Sequence, residues 1–181
     1  MIVITGIQAA GKSTVAQALA ETLPNSVHVR GDVFRRMIVN GGADMGAAVL
    51  APEALRQLQL RYELAAATAD RYARAGFTVV LQDIILGEHV QHVVDHIESR
   101  PLYLVVLAPS IDTVVERDAE RQRTRGKFAY QPGGADVATF DHRLRSMTPR
   151  IGYWLDTTEL TVADTVANIL AHLDSSARVA W

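Results

Sequence analysis

The apolar positions along the chain follow two periods, which alternate from one segment to the next. Short runs rich in Val, Ile and Leu lack polar interruptions, which is typical of strands buried on both faces of a sheet. Longer segments repeat apolar residues at every third or fourth position, as helices with one buried face do. Strands are predicted at residues 1–5, 26–30, 77–83, 101–107 and 152–157, and helices at residues 15–23, 33–38, 52–75, 88–99, 110–121, 135–147 and 161–173.

The alternation of strands and helices predicts an α/β fold, in which a five-stranded parallel sheet lies between two layers of helices. The 181 residues suit one domain, so residues 1–181 are predicted to form a single unit. Two helices have a clear apolar face. The residues predicted to point inward are Leu55, Leu58, Tyr62, Ala65, Ala69 and Tyr72 in the long helix, and Val162, Val166, Ile169, Leu170 and Leu173 in the last one.

A glycine-rich loop separates the first strand from the first helix. It has the pattern G-x-x-x-x-G-K-S/T, from Gly6 to Thr14, in which backbone N–H groups wrap a phosphate at the positive end of a helix. Lys12 is expected to reach the β- and γ-phosphates, and Ser13 to bind Mg²⁺. The loop residues predicted to contact the nucleotide are Gly6, Gln8, Ala9, Ala10, Gly11, Lys12, Ser13 and Thr14.

Aspartates follow two of the predicted strands. Asp32 comes after a strand and one glycine, at the rim where α/β proteins bind ligands, and it could equally cap the next helix. Asp83 ends an apolar strand, where a phosphate-loop enzyme places a carboxylate that organises Mg²⁺. A turn residue is the alternative role for Asp83.

A basic segment follows the helix predicted at residues 110–121, with Arg121, Arg123, Arg125 and Lys127 close together. Cations suit the C-terminal end of a helix, so a solvated helix end is one interpretation. The other is a mobile, arginine-rich lid over residues 122–132 that neutralises a triphosphate during transfer, and the clustering favours it. Arg56 and Arg61 are expected to be solvated, although either could reach an anionic substrate.

Three histidines, His89, His92 and His96, lie roughly on one face of the helix predicted at residues 88–99. Their spacing suggests a metal site, but the sequence offers no cysteine and no second histidine pair to complete a coordination shell. A metal role is therefore not favoured by the sequence.

Composition narrows the possible functions. The net charge of −2 offers no basic surface for a nucleic-acid backbone, which argues against a polynucleotide partner. The chain has no cysteine, so disulfides and cysteine metal sites are excluded. No apolar run approaches the ~20 residues that span a bilayer. No signal peptide is expected, because the first strand is predicted within residues 1–5. A cytoplasmic protein without a membrane partner is expected.

With these segments in place, the chain resembles small P-loop kinases, specifically the AAA-type small-molecule kinases that include chloramphenicol phosphotransferases. Gluconate kinases, adenylate kinases and zeta toxins are similar at longer range. The similarity runs through nearly the whole chain in the order of elements. It is most specific at residues 6–14, 31–32, 76–87, 114–121 and 156–158.

The resemblance implies ATP and Mg²⁺ as cofactors, and a catalytic set of Asp32, Lys12 and Arg121. In this family Asp32 would deprotonate the acceptor hydroxyl, Arg117 would stack on adenine and Arg121 would contact phosphate. The implied activity is γ-phosphate transfer to a hydroxyl of a small molecule, such as an antibiotic or a sugar-like metabolite, by a monomer or homodimer. A nucleotide or nucleotide-sugar kinase and an ATP-binding switch protein are the alternatives. Residues 39–50 and 122–132 match no family pattern, so the acceptor is not implied.

Overall fold

The computed structural model describes residues 1–47, 49–126, 129–130 and 134–180, without the side chain of Arg125. Its centre is a parallel sheet of five strands, as the sequence predicts, and the structure shows that their order is β2-β3-β1-β4-β5. The strands are β1 (Ile2–Thr5), β2 (Ser26–Arg30), β3 (Thr78–Gln82), β4 (Tyr103–Leu107) and β5 (Tyr153–Leu155).

The middle strand β1 is buried along its whole length, and Ile2, Val3 and Ile4 are almost inaccessible to solvent. Successive side chains of a strand point to opposite faces, so both faces of the sheet are covered. The neighbours β3 and β4 are buried after their first residues, which explains the hydrophobic runs of the sequence.

Seven helices surround the sheet in the described part of the chain. They are α1 (Lys12–Thr22), α2 (Asp32–Arg36), α3 (Pro52–Arg74), α4 (His89–His96), α5 (Ile111–Arg125), α6 (Val137–His142) and α7 (Val162–His172). A short π-helical turn (Arg143–Met147) continues α6. Pro52 lies at the start of α3, where its missing N–H costs nothing.

Some predicted faces are wrong in detail. Leu55 and Tyr72 of α3 are exposed, because the buried face of that helix is centred on small alanines. Val162 and Leu170 of α7 are also exposed, and Val166 and Ile169 form its buried contact. An apolar side chain at a helix edge carries little information about orientation, since much of a folded surface is apolar.

The segment after α7 packs along β4, although the sequence assigned it no role. Leu104 N donates to Ala177 O at 2.8 Å, and Val179 N donates to Leu102 O at 3.0 Å. Ala177 and Val179 are buried, so this segment extends the core at the start of β4. Among the described residues, no helix is long and apolar enough to cross a membrane.

Candidate nucleotide-binding and phosphotransfer site

The carboxyl ends of three strands meet at one edge of the sheet. Ile4 of β1 and Arg30 of β2 both pair with Gln82 of β3. Gly31 N donates to Gln82 O at 3.0 Å, and Asp83 N donates to Ile4 O at 3.2 Å. The register therefore brings the glycine-rich loop, Asp32 and Asp83 to the same crevice, where open α/β sheets bind ligands.

An open cavity of about 1060 Å³ occupies this crevice. Most of the residues predicted from the sequence line it. They are Gln8, Ala9, Ala10, Gly11, Lys12, Ser13, Thr14, Asp32, Asp83, Arg117 and Arg121. Gly6 lies at the start of the loop, outside the lining.

The glycine-rich loop needs its two glycines for steric reasons. Gly6 has φ +147°, and a Cβ there would lie 2.5 Å from Leu107 O of β4. Gly11 has φ +93° and immediately precedes α1. The first turn of α1 holds no acidic residue, so its free N–H groups and positive dipole face the cavity without competition. These features fit a bound phosphate.

Lys12 is almost completely buried under this loop, and its Nζ donates to Ile7 O at 2.7 Å. Burial, assisted by the nearby charges of Arg61 and Arg121, lowers the pKa of Lys12 to about 7. An anion in the loop would supply the opposite charge that this ammonium group lacks. Ser13 and Thr14, the next residues, are exposed to the cavity.

Two residues that the sequence did not single out connect the segment after α5 to the loop. Tyr130 Oη donates to Gln8 O at 3.0 Å. The buried Asp118 of α5 accepts from Ala129 N at 2.7 Å and from Tyr130 N at 3.4 Å. Tyr130 and Gln8 are 122 residues apart, and Asp118 and Ala129 are 11 apart, so neither contact follows a helical or strand period that the sequence could reveal.

The predicted lid is helical where it begins. Helix α5 continues to Arg125 and ends at Gly126 with φ +63°, so the boundary at residue 121 is wrong. Among the described cations of the basic segment, Arg121 lines the cavity, whereas Arg123 pairs with Glu120 and is largely exposed. Lys127 and the side chain of Arg125 lie outside the described residues, so their predicted contacts stay predictions.

Arg117 lies beside the end of the loop. Its Nη2 donates to Thr157 O at 2.8 Å, and its Nη1 donates to Ala10 O at 3.4 Å. Thr157 also lines the cavity, and its buried Oγ1 has no hydrogen-bond partner among the described residues. This pair therefore contacts the phosphate loop through Ala10.

Asp83 is not a free carboxylate. Its Oδ2 accepts from Arg61 Nε at 2.7 Å, its Oδ1 accepts from Arg61 Nη2, and Ile84 N donates to Oδ1 at 2.7 Å. The expectation that Arg61 is solvated is therefore wrong, since Arg61 is only 8% exposed and Asp83 only 3%. Gly31 makes room for this pair, because a Cβ there would overlap the Asp83 carboxylate.

Asp32 does not cap α2. Gly31 occupies the N-cap position without a side-chain hydrogen bond, and the helix begins one residue earlier than predicted, at Asp32 itself. The Asp32 carboxylate instead lies between two arginines. Its Oδ2 accepts from Arg36, and Arg30 Nε lies 3.6 Å from Oδ1. Oδ1 is buried and accepts no hydrogen bond from any described residue.

A family profile described as the AAA domain matches residues 1–149. The chain belongs to the AAA domain family. Its fold is that of small P-loop kinases, as the resemblance implied, and among curated proteins none matches significantly.

Three solved structures illustrate the fold of this AAA domain. A gluconokinase from Sinorhizobium meliloti 1021 is 19% identical, with 96% of this chain and 90% of that chain covered and a TM-score of 0.60. The Mycobacterium tuberculosis APS kinase, solved with AMPPNP and APS, is 16% identical, with 96% of both chains covered and a TM-score of 0.66. The Deinococcus radiodurans tunicamycin resistance protein is 17% identical, with 99% and 98% covered and a TM-score of 0.62.

The Asp32 side of the cavity in this AAA domain is rich in arginine. The side is lined by Arg30, Arg35, Arg36 and Arg61, which we call the arginine-rich wall, together with the carboxylates of Asp32 and Asp83. Burial, with the charges of Arg35 and Arg36, lowers the pKa of Arg61. Arg35 forms no ion pair or hydrogen bond with any described residue, so the described part of the chain leaves its positive charge without a partner.

Proposed function

We propose that the protein is an ATP-dependent phosphotransferase that moves the γ-phosphate to a hydroxyl of a small molecule. The observation that carries the proposal is the single cavity onto which the phosphate loop, Asp32 and an arginine-rich wall all open. Phosphoryl transfer requires positioning and charge neutralisation more than covalent chemistry, and these groups supply both.

On the donor side, the loop N–H groups and Lys12 would hold the β- and γ-phosphates. Arg121 would contact phosphate, and Arg117 would pack on the base near Thr157. Bound Mg²⁺ would neutralise charge on the phosphates. Ser13 is exposed to the cavity and would ligate it directly, whereas Asp83 is held by Arg61 and would act through water.

On the acceptor side, Asp32 would accept the proton of the attacking hydroxyl late in the transfer. Its Oδ1 has no hydrogen-bond donor among the described residues, so it can accept one from a substrate. Arg30 and Arg36 cover the carboxylate, but their side chains are 46% and 66% exposed and can move aside.

The arginine-rich wall bears on the class of acceptor. A neutral molecule would leave Arg35 unpaired beside Arg36 and Arg61, whereas an anionic group would form charge-assisted hydrogen bonds with it. We therefore favour a hydroxylated acceptor with its own negative charge, such as a sugar acid or a sugar phosphate. The same wall favours the second candidate function, a nucleotide or nucleotide-sugar kinase.

ADP formation, measured with panels of hydroxylated compounds, tests the proposal. Matched neutral and anionic members of each panel, such as a sugar and its phosphate, separate the acceptor classes, and nucleoside monophosphates and nucleotide sugars test the second candidate. Lys12→Ala, with its fold checked by circular dichroism, is the control and should nearly abolish turnover. ATP binding without stimulation by any acceptor would instead support an ATP-binding switch protein.

A further inference from the structure

The structure completes a metal-ligand set that the sequence left incomplete. His92 and His96 are one turn apart on α4, and Glu63 of α3 lies against them. One ligand atom from each of the three residues lies within 4.8 Å of the others. We infer that Glu63, His92 and His96 form a binding site for a divalent transition metal, with Zn²⁺ as its best-suited ion.

The hydrogen-bond pattern leaves the ligand atoms available. His96 Nδ1 lies 2.8 Å from His92 O; a carbonyl only accepts, so Nδ1 carries the proton and Nε2 keeps its lone pair. A backbone partner of this kind also orients the ring of a metal-binding histidine. His92 Nε2 is buried without any partner among the described residues, and Glu63 forms no hydrogen bond or ion pair with them.

The geometry needs only small side-chain movements to close around an ion. Ligand atoms of a tetrahedral zinc site are about 3.3 Å apart, given metal–ligand distances near 2.0–2.2 Å. Glu63 is exposed, so its carboxylate can turn toward the buried nitrogen of His92. Three protein ligands leave one coordination position for water.

The third histidine of the sequence pattern does not belong to the cluster. The ring of His89 packs against Tyr62 of α3, with 5.6 Å between the ring centroids. The rings of His92 and His96, by contrast, pack against each other, with 4.0 Å between their centroids. The sequence missed the site because its third ligand comes from another helix.

The donor set determines which ions compete. Two imidazoles and one carboxylate suit Zn²⁺, Co²⁺, Ni²⁺ and Cu²⁺, whereas Mg²⁺ prefers oxygen ligands alone. None of the three residues lines the phosphotransfer cavity, so the site is separate from the one proposed for Mg²⁺. A bound ion would join α3 to α4 and thereby stabilise the contact between them.

Calorimetric titration of the tag-free, chelator-treated full chain with ZnCl₂ tests the site, in the absence of nucleotide and with Mg²⁺ in excess. We expect one equivalent of Zn²⁺ to bind, and His92→Ala, His96→Ala and Glu63→Gln each to weaken binding by at least about tenfold. His89→Ala, a histidine on the same helix, is the matched control and should bind as the wild type does.

Two further measurements sharpen the test. Zn²⁺ should raise the melting temperature of the wild type but not that of His92→Ala, because only the native state presents the three ligands together. Co²⁺ absorption should report a tetrahedral shell that Glu63→Gln alters. The inference is wrong if no saturable binding occurs, if Mg²⁺ abolishes it, or if Glu63→Gln binds Zn²⁺ as tightly as the wild type. Circular dichroism of each variant excludes unfolding as the cause.

Discussion

Lys12 is held in an environment that disfavours its charge. Its nearest polar partner is a neutral carbonyl, and burial, with Arg61 and Arg121 nearby, lowers its pKa to about 7. In the nucleotide-free protein, burying the charged form of Lys12 costs free energy. A bound phosphate would offset this cost by supplying the opposite charge. A lysine at this position therefore stabilises a complex at the expense of the unliganded fold.

This cost predicts a pH dependence of stability. Between pH 7 and the ordinary lysine pKa of about 10.5, the unfolded chain keeps a proton that the folded protein loses, so stability rises with pH. Raising the pH from about 7 to about 9 should increase the unfolding free energy by about 2 kcal/mol relative to Lys12→Met. Urea denaturation of both proteins at the two pH values measures this difference. A constant gap between them would contradict the lowered pKa.

Asp32 is the residue that separates a kinase from a protein that only binds ATP. Asp32→Asn removes the proton acceptor, so turnover with the true acceptor should drop by ~10²-fold or more. Stability should change little, because the carboxylate contacts two largely exposed arginines and caps no helix.

The affinity for ATP is the control for Asp32→Asn, since the phosphate loop is untouched. Equilibrium binding of an ATP analogue and single-turnover transfer should be measured on the same preparation. Intact transfer would assign Asp32 to a structural role and leave Asp83 as the next candidate base. A joint loss of transfer and ATP affinity would place Asp32 beside the metal.

At the scale of elements, the buried ion pair between Arg61 and Asp83 connects α3 to the end of β3. Arg61→Leu would leave the Asp83 carboxylate buried without its cation, which costs about 3–5 kcal/mol for such pairs. Adding Asp83→Asn should recover much of this loss, because asparagine still accepts from Ile84 N and carries no charge. Chemical denaturation of the single and double variants measures both effects.

The same helix provides the matched control. Arg56 pairs with Glu53 at 2.7 Å, but both side chains are mostly exposed, so Arg56→Leu should change stability little. If Arg56→Leu and Arg61→Leu lowered the free energy of unfolding equally, burial of the Arg61–Asp83 pair would not explain the loss. A double variant no more stable than Arg61→Leu would show that the arginine acts through its packing alone.

At the scale of the whole molecule, charge is distributed unevenly. The net charge is only −2, yet Arg30, Arg35, Arg36 and Arg61 gather on one side of the cavity. If the acceptor is anionic, Arg35→Gln should raise its KM roughly tenfold through the loss of one charge-assisted contact. Higher ionic strength should lower kcat/KM for the same reason.

Arg123→Gln removes the same charge elsewhere and serves as the control. Arg123 pairs with Glu120 and lies outside the cavity, so the acceptor KM should not change. Steady-state kinetics of both variants with one acceptor and saturating ATP make the comparison. Suppose that Arg35→Gln leaves both the acceptor KM and the salt dependence of kcat/KM as in the wild type. The arginine-rich wall then does not recognise a charged acceptor.

Local patterns in the sequence determined the strands, the parallel sheet and the phosphate loop. The apolar run of β1, the spacing of the loop glycines and the lysine after Gly11 can each be recognised from neighbours within a few residues. These features follow from backbone sterics and from the period of the hydrophobic residues, and both depend on the local sequence.

Only the tertiary structure decided which polar groups meet. The pairing of Arg61 with Asp83 spans 22 residues, and the bond from Tyr130 to Gln8 spans 122. Glu63 joins His92 and His96 because α3 packs on α4, and no spacing in the sequence shows this. The register of the strands and the packing of the helices determine which side chains meet. The composition of a site therefore cannot be derived from the spacing of residues along the sequence.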